Sequence, residues 1–237
     1  YSFIQPNSMV TVTPVLKAKS SDESGEPDTS AALPGTSTPD NPTEDTVNPD
    51  KFTDIQEHWA KDFIYYAVEH NLFKGVSDTT FEPETPTTRA MLVTTLYNLA
   101  GQPNGYQTAG FSDVAAGSWY EAAVNWGYAN KVIKGYGDGT FAPLKLVTRE
   151  EMVTILHNYY HFVNPNLTEA EEVQGDLSQF ADLSSLSSYA QQSMAWAVGS
   201  NLIHGRSNNL LCPQADSTRA EAATVLSLFL QEILLVK

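Results

Sequence analysis

One arrangement of residues occurs three times along this chain, and it limits the possible folds more than any other feature. In each copy an arginine lies 30 positions after an aromatic residue and 14 positions after a glycine. Three copies that keep two internal spacings without a gap form a tandem repeat, so each copy should fold as one structural unit. The aromatic residue, glycine and arginine of the copies are Trp59, Gly75 and Arg89; Trp119, Gly135 and Arg149; and Tyr189, Gly205 and Arg219.

Each copy predicts the same local structure, namely a helix, a loop and a second helix. Apolar residues follow both the aromatic residue and the arginine at a helical period. Glycine, aspartate and asparagine favour turns in the stretch between them, and a proline ends that stretch. A Phe-x-Asp sequence precedes each first helix, and its aspartates are Asp54, Asp113 and Asp182. At an equivalent position within the first helices, Trp126, Trp196 and Tyr66 are predicted to be core residues.

The start of the second helix carries a capping signal in two copies. Thr148 with Glu151, and Thr218 with Glu221, have the spacing of a capping box, in which each side chain bonds the other residue's backbone N–H. The first copy has Met91 in place of the glutamate, so half of its box is missing. We therefore interpret these glutamates as structural residues and not as ligand contacts.

The chain before the repeats has a different composition. Residues 1–18 alternate like a strand and are predicted to be the remnant of an upstream β module. Residues 19–50 are rich in serine, threonine, proline and acidic residues, which predicts a flexible, disordered linker. The expected repeat domains are 51–105, 106–175 and 176–237. Because the chain begins within a pattern, we expect it to be part of a longer protein, with any catalytic domain upstream.

Composition excludes several classes of function. A net charge of −15 disfavours nucleic acid and anionic membranes as partners, and no apolar run approaches the roughly 18 residues of a membrane span. A single cysteine, Cys212, excludes a disulfide framework and a cysteine metal site. His157 and His161 lie four residues apart, but with no carboxylate expected beside them we interpret them as surface residues. We expect no catalytic residue, no cofactor and no metal.

The joint pattern resembles the S-layer homology (SLH) domain. The fullest copy contains Phe111-Ser112-Asp113-Val114, then Gly135 to Pro143, then Val147-Thr148-Arg149-Glu150-Glu151, and the resemblance covers Phe52 to about Leu230. It implies a mainly α-helical fold of three helix-loop-helix repeats in a pseudo-threefold arrangement, as a monomer with an internal pseudo-trimer. It also implies a non-catalytic, extracellular module of the cell wall or S-layer. Such a module would bind pyruvylated secondary cell-wall polysaccharide in grooves between repeats.

The arginines are the residues that helix capping does not explain. A cation in the first helical turn opposes the helix dipole by about 0.3–1 kcal/mol. An arginine beside exposed helix N–H groups would instead form an anion site suited to the carboxylate of a pyruvate ketal. Alternatively, each arginine pairs with an aspartate of a Phe-x-Asp sequence and holds neighbouring repeats together. Both interpretations remain open, and they are compatible if the aspartate orients the guanidinium.

Other residues are candidates for the same grooves. The aromatic residues could stack on a sugar or belong to the core, and the glycines could need positive φ or allow a ligand close to the backbone. Copy three departs most from the pattern, which predicts the weakest binding there. A helical self-assembly or protein–protein interaction module of the cell surface remains the alternative function. The candidate ligand-binding residues are Arg89, Arg149, Arg219, Asp54, Asp113, Asp182, Trp59, Trp119, Tyr189, Gly75, Gly135, Gly205, Lys74 and Lys134.

The second copy is followed by about ten extra residues. The period between arginines is 60 from Arg89 to Arg149 and 70 from Arg149 to Arg219, and the insertion falls near residues 164–179. Insertions are tolerated best at the surface, so this segment is predicted to be a surface loop.

Overall fold

The computed structural model describes residues 51–234, so the strand expected in 1–18 and the linker expected in 19–50 lie outside the described residues. This part of the chain is mainly helical and contains two α-helices per repeat and no strand, which confirms the predicted fold class. The helices are α1 (Lys61–Glu69), α2 (Arg89–Leu99), α3 (Glu121–Ala129), α4 (Arg149–Val163), α5 (Gln191–Gly199) and α6 (Arg219–Leu228), and α6 continues into a π-helical turn over Phe229–Leu234.

The second helix of each repeat begins where the capping signal predicts. Thr88, Thr148 and Thr218 are the N-caps, and each hydroxyl accepts a hydrogen bond from the backbone N–H three residues later. The complete capping box forms at α4 and α6, where Glu151 and Glu221 bond back to the threonine N–H. At α2 only the threonine half of the box is present.

Helices pack mainly between repeats and not within them. The second helix of one repeat packs on the first helix of the next, as α2 does on α3 and α4 does on α5. The last helix, α6, returns to pack on α1. Because the main helix–helix contacts join neighbouring repeats, the repeats share a common core, which is the behaviour expected of tandem repeats.

A closed cycle of three backbone hydrogen bonds joins the repeats just before their second helices. The N–H of Thr87 donates to the carbonyl of Ser217 at 2.8 Å, that of Ser217 to Val147 at 2.9 Å, and that of Val147 to Thr87 at 2.9 Å. All three residues are fully buried. The equivalent residue of each copy therefore contacts both other copies directly.

Two of the three aromatic residues predicted to be core residues of the first helices are buried, and the third is not fully buried. Trp126 and Trp196 are buried as expected, and Trp196 lies against Phe229 in the π-helical turn. Tyr66 is partly buried and stacks on His70.

The insertion after α4 contacts the rest of the fold closely. Gly175 donates its N–H to the carbonyl of Ala195 at 2.7 Å. A Cβ added to Gly175 would lie 2.6 Å from the backbone nitrogen of Gly199, so only glycine allows this approach. The segment lies at the surface, but these contacts hold its last part against α5.

Candidate functional site

The three arginines donate hydrogen bonds across the boundaries between repeats. Arg89 donates from Nε to the carbonyl of Phe141 at 2.9 Å and from Nη2 to that of Lys134 at 3.1 Å, both in the loop of the next repeat. The guanidinium groups are buried, with 4–5% of each residue exposed. Two nitrogens of each of these three arginines thus bind the backbone of an adjacent repeat. The equivalent bonds are Arg149 to Leu211 and His204, and Arg219 to Phe81 and Lys74.

The helix amides beside the arginines are already bonded. The N–H of Arg89 donates to the carbonyl of Lys145 at 3.0 Å, and that of Ala90 donates to Pro143 at 2.9 Å. The third free amide, that of Met91, donates to Thr88 Oγ1. The first turns of α4 and α6 are occupied in the same way. The expectation that exposed helix N–H groups would receive an anion is therefore wrong.

The Phe-x-Asp aspartates contact the same loops as the arginines but do not pair with them. Asp113 accepts the N–H of Phe141 at 2.9 Å and that of Ala142 at 2.7 Å. Arg89 binds the carbonyl of Phe141, so the aspartate binds the N–H and the arginine binds the C=O of the same residue. Among the described residues, no ion pair joins an arginine to any of these aspartates. Asp54 and Asp182 make the equivalent bonds to Phe81 and Glu82, and to Leu211 and Cys212.

These carboxylates support an unusual backbone conformation. The second residue bound by each aspartate has a positive φ, between 50° and 57°, although it is not glycine. Such residues cost free energy that surrounding contacts must offset. Burial raises the pKa of Asp182, but the N–H groups of Leu211 and Cys212 outweigh it and hold the pKa below its usual value. The residues with positive φ are Glu82, Ala142 and Cys212.

The repeated glycines serve packing. A Cβ on Gly75 would lie 2.3 Å from Cε1 of Phe52, and one on Gly135 would lie 2.4 Å from Cε1 of Phe111. The Gly205 Cβ would lie 2.8 Å from the equivalent ring of its own repeat. None of the three has the positive φ that was one of the expected reasons. They are required because the phenylalanine of each Phe-x-Asp packs directly on them.

The remaining arginine nitrogen, Nη1, lies in a different charge cluster at each boundary. In the Arg89 cluster, Nη1 is 3.6 Å from Glu151 Oε2, and Lys145 Nζ is 3.4 Å from Glu151 Oε1. The hydroxyl of Tyr136 donates to the same carboxylate. In the Arg149 cluster, Nη1 is 3.1 Å from Glu221 Oε1, which also binds Arg206.

The Arg219 cluster has no carboxylate in this place. Met91 occupies the position of Glu151 and Glu221, and Arg219 forms no ion pair with any described residue. Its guanidinium carbon lies 4.5 Å from the ring centre of Phe81. Burial lowers the pKa of Arg219, and the more distant carboxylates of Glu82 and Asp54 only partly oppose this.

Counted by ion pairs among the described residues, each cluster has one more cation than carboxylates, while Glu150 lies close to the Arg89 cluster and Glu82 and Asp54 act on Arg219 from a longer distance. Arg89 and Lys145 face Glu151, Arg149 and Arg206 face Glu221, and Arg219 has no facing acid. The surplus charge is exposed in the first two clusters, since the side chains of Lys145 and Arg206 are 50% and 40% exposed. In a chain of net charge −15, cations that outnumber their ion-pair partners at all three boundaries are candidates for contact with an anion.

The repeated aromatic residues lie at the surface. Trp59, Trp119 and Tyr189 are 63%, 59% and 57% exposed, so the interpretation as core residues is wrong. The Tyr189 hydroxyl donates to Glu150 Oε1 at 2.8 Å. Burial and this bond raise the Tyr189 pKa. Glu150 is the residue before Glu151, so Tyr189 binds next to the Arg89 cluster.

Lys74 and Lys134 contribute to the boundaries through their backbone, and Glu150 is an additional buried residue near the Arg89 cluster. Lys74 and Lys134 have exposed side chains, and it is their backbone carbonyls that the arginines bind. Glu150, which was not singled out, is 2% exposed and accepts hydrogen bonds from Ser187 and Tyr189. Its only sequence signal is that the other copies have alanine there, as Ala90 and Ala220.

Comparison with known families agrees with this architecture. The family model of the S-layer homology domain matches residues 51–90, 110–153 and 179–223. The chain belongs to the S-layer homology domain family. These domains anchor surface proteins to the cell wall, so the chain is an anchoring module of the cell surface.

Similar curated proteins include enzymes and structural proteins. An amylopullulanase of Thermoanaerobacterium thermosulfurigenes is 33% identical over 74% of this chain, and the surface-layer 125 kDa protein of Lysinibacillus sphaericus is 29% identical over 74%. A cellulosome-anchoring protein of Acetivibrio thermocellus is 33% identical over 45%. The chain spans 9%, 14% and 25% of the length of these relatives. The match to the enzyme is thus confined to its S-layer homology region, and the enzymatic part lies elsewhere.

Among the described residues, no helix is both long and apolar enough to cross a membrane.

Proposed function

We propose that this chain binds pyruvylated secondary cell-wall polysaccharide in the grooves between its repeats and so holds a larger surface protein on the wall without a covalent bond. The observation that carries the proposal is that cations outnumber their ion-paired carboxylates in all three clusters of an acidic chain. A pyruvate ketal has one carboxylate, and one surplus cation per cluster complements it. The chain acts as a monomer whose three repeats form an internal pseudo-trimer.

The surplus cation differs between clusters, and so does the expected mode of contact. In the Arg89 and Arg149 clusters the ligand carboxylate binds the exposed Lys145 or Arg206, because the buried arginine already has a carboxylate partner. In the Arg219 cluster the carboxylate binds Nη1 of Arg219 itself. A charge-assisted bond formed away from water is stronger than one at the surface, so we propose the Arg219 cluster as the tightest of the three.

The sequence pattern alone predicts the weakest binding in copy three, so this ranking of the clusters is different. Copy three departs most from the pattern, but its arginine lies in a cluster whose other members come from copy one. Because each cluster is made by two repeats, the strength of a site cannot be assigned to a single copy. The exposed Trp59, Trp119 and Tyr189 supply flat apolar faces on which sugar rings can stack.

Three matched variants test the proposal without touching a buried arginine. Lys145→Ala and Arg206→Ala remove the surplus cation from two clusters, and Met91→Glu neutralises the third. Calorimetric titration of the full chain should show binding to pyruvylated wall polymer that weakens about two- to tenfold with each single change. The triple variant should lose more than any single variant. The polymer stripped of its pyruvate should bind more weakly to the unaltered chain.

Lys131→Asn is the control for charge alone. Asn71 and Asn201 occupy the equivalent positions in the other copies with the same positive φ, so this change removes one cation without strain. Equal affinity for the polymer with and without pyruvate would refute the proposal, as would an equal loss in the control. If the chain instead self-associates and shows no polymer preference, the alternative of a self-assembly module is correct.

A further inference from the structure

A second group of chemically reactive side chains lies away from the three clusters. His157 and His161 are one turn apart on α4, and the insertion brings Glu172 between them. Glu172 Oε1 is 3.0 Å from Nε2 of His157 and 2.7 Å from Nε2 of His161. The interpretation of this pair as surface histidines without a nearby carboxylate is therefore wrong. His157 is buried, and the side chain of Glu172 has no exposed area.

The donor set is one that transition metals bind. One ligand atom from each of the three residues lies within 4.8 Å of the other two. Zinc binds imidazole nitrogen and carboxylate oxygen at about 2.0–2.2 Å, so its ligand atoms lie roughly 3.4 Å apart in tetrahedral geometry. The distances of 3.0 and 2.7 Å from Glu172 to the two histidines are shorter than this by about 0.4 and 0.7 Å. A small outward movement of the side chains would place all three ligands around one ion.

Neighbouring residues orient His157 as a metal ligand requires. Its Nδ1 lies 3.1 Å from Ser193 Oγ, which fixes the ring so that Nε2 points at Glu172. The ring of Trp196 stacks on it with centroids 4.7 Å apart. Ordered partners of this kind set the tautomer and orientation of metal-binding histidines.

The position of Glu172 is also held by backbone contacts. Gly175, three residues later, bonds to Ala195 and packs directly on Gly199, so the chain near Glu172 is attached to α5. A buried carboxylate is stable only when it is paired, and here both histidines face it. The side chain of His161 is 34% exposed, which gives an ion access from solvent.

We propose that His157, His161 and Glu172 form a binding site for a divalent transition-metal ion such as Zn²⁺, with the fourth position open to solvent. Among the described residues, no other group of three histidine, cysteine, aspartate or glutamate side chains comes together in this way. The bound ion joins the insertion to α4. The site does not depend on the polysaccharide proposal, because none of its residues belongs to the three clusters.

The test uses the full chain without an affinity tag, stripped of metal by a chelator that is then removed. Titration with ZnCl₂ in a calorimeter should show one saturable site. Substituting Co²⁺ should give visible absorption bands of the intensity expected for tetrahedral coordination. His161→Ala and Glu172→Gln should each weaken zinc binding by at least about tenfold, since changes even in the residues around a metal ligand cost that much.

His58→Ala is the matched control. His58 lies 2.8 Å from Glu84, so these two residues also form a histidine–glutamate pair. Among the described residues, no third side chain completes a metal-binding group with this pair. This variant should bind zinc like the unaltered chain. Circular dichroism and thermal unfolding of His161→Ala check that the variant is folded. Absence of saturable zinc binding, or equal binding by folded His161→Ala, would show that the three residues form only a hydrogen-bonded network.

Discussion

The Arg149 and Arg219 boundaries have the same backbone contacts, but only at Arg149 does the third arginine nitrogen have a carboxylate partner. In both, Nε and Nη2 donate to two carbonyls of the next repeat. At Arg149 the nitrogen Nη1 has Glu221 as a partner, whereas at Arg219 the equivalent position is Met91. One guanidinium thus has two separable roles. Two nitrogens hold the repeats together, and the third has a partner that differs from one boundary to the next.

The largest effect should come from removing the shared role. We expect Arg149→Ala and Arg219→Ala each to lower the free energy of unfolding by about 2–4 kcal/mol, because each leaves two buried carbonyls without a donor. Urea unfolding of the full chain, followed by tryptophan fluorescence, measures this. The two losses should be similar despite the different charge partners.

Arg206→Ala provides the comparison for these variants. This arginine binds the same Glu221, but its side chain is 40% exposed and, among the described residues, it donates no hydrogen bond to a carbonyl of another repeat. Its loss should cost less than about 1 kcal/mol. If it destabilised the chain as much as Arg149→Ala, the carbonyl contacts would not be what holds the boundary.

The second effect concerns the aspartate that contacts the same loop. Asp182→Asn should lower the free energy of unfolding by about 1–2 kcal/mol at pH 7. Asp182 is partly exposed and accepts two backbone N–H groups, one on each carboxylate oxygen, and asparagine keeps only one of these oxygens. The folded chain holds the pKa of Asp182 below its ordinary value of 3.8. Its contribution is therefore complete above the ordinary pKa and is lost as the pH falls through the lower one.

Unfolding measured across acidic pH separates this effect from simple packing. The difference between Asp182→Asn and the unaltered chain should be constant above about pH 5 and shrink below about pH 4. Asp78→Asn is the control, since Asn208 stands at the equivalent position of copy three. A difference that persists unchanged at low pH would contradict the role of the carboxylate charge.

The repeats, the helices and their caps could be predicted from the sequence because these features depend on nearby residues. Thr148 and Glu151 are three positions apart, so their bonds follow from spacing alone. Trp126 could be assigned to the core from its place on a helix. The partner of each helix could not be predicted in this way, because an apolar face does not specify which neighbour covers it.

The role of the arginines shows the same limit. A cation in the first turn of a helix is unfavourable by itself, and this observation led to the expectation of a ligand. The structure offsets that cost with two carbonyls of another repeat, which lie 45 and 52 positions from Arg89 along the chain. Glu172 was missed for a related reason, since its contact with His157 depends on the path of the insertion.

The third prediction exchanges the residue that distinguishes the two boundaries. Met91→Glu should complete the capping box of α2 and supply a partner for Arg219, raising the free energy of unfolding by about 1 kcal/mol. Glu221→Met should lower it by a similar amount at the Arg149 boundary. Urea unfolding of the two single variants measures both signs. If Met91→Glu destabilised the chain, the free nitrogen of Arg219 would not be accessible to a carboxylate.

The smallest effect on stability should come from the exposed aromatic residues, and here stability and binding should separate. Trp119→Ala should change the free energy of unfolding by no more than about 0.5 kcal/mol, because the side chain is 59% exposed. Tyr189→Phe keeps the flat ring but removes the bond to Glu150, so it should cost up to about 1 kcal/mol without weakening a stacked sugar. Calorimetric titration with wall polymer should therefore show weaker binding for Trp119→Ala and unchanged binding for Tyr189→Phe. The opposite pattern would mean that the hydroxyl network beside the Arg89 cluster, and not the aromatic face, contacts the polymer.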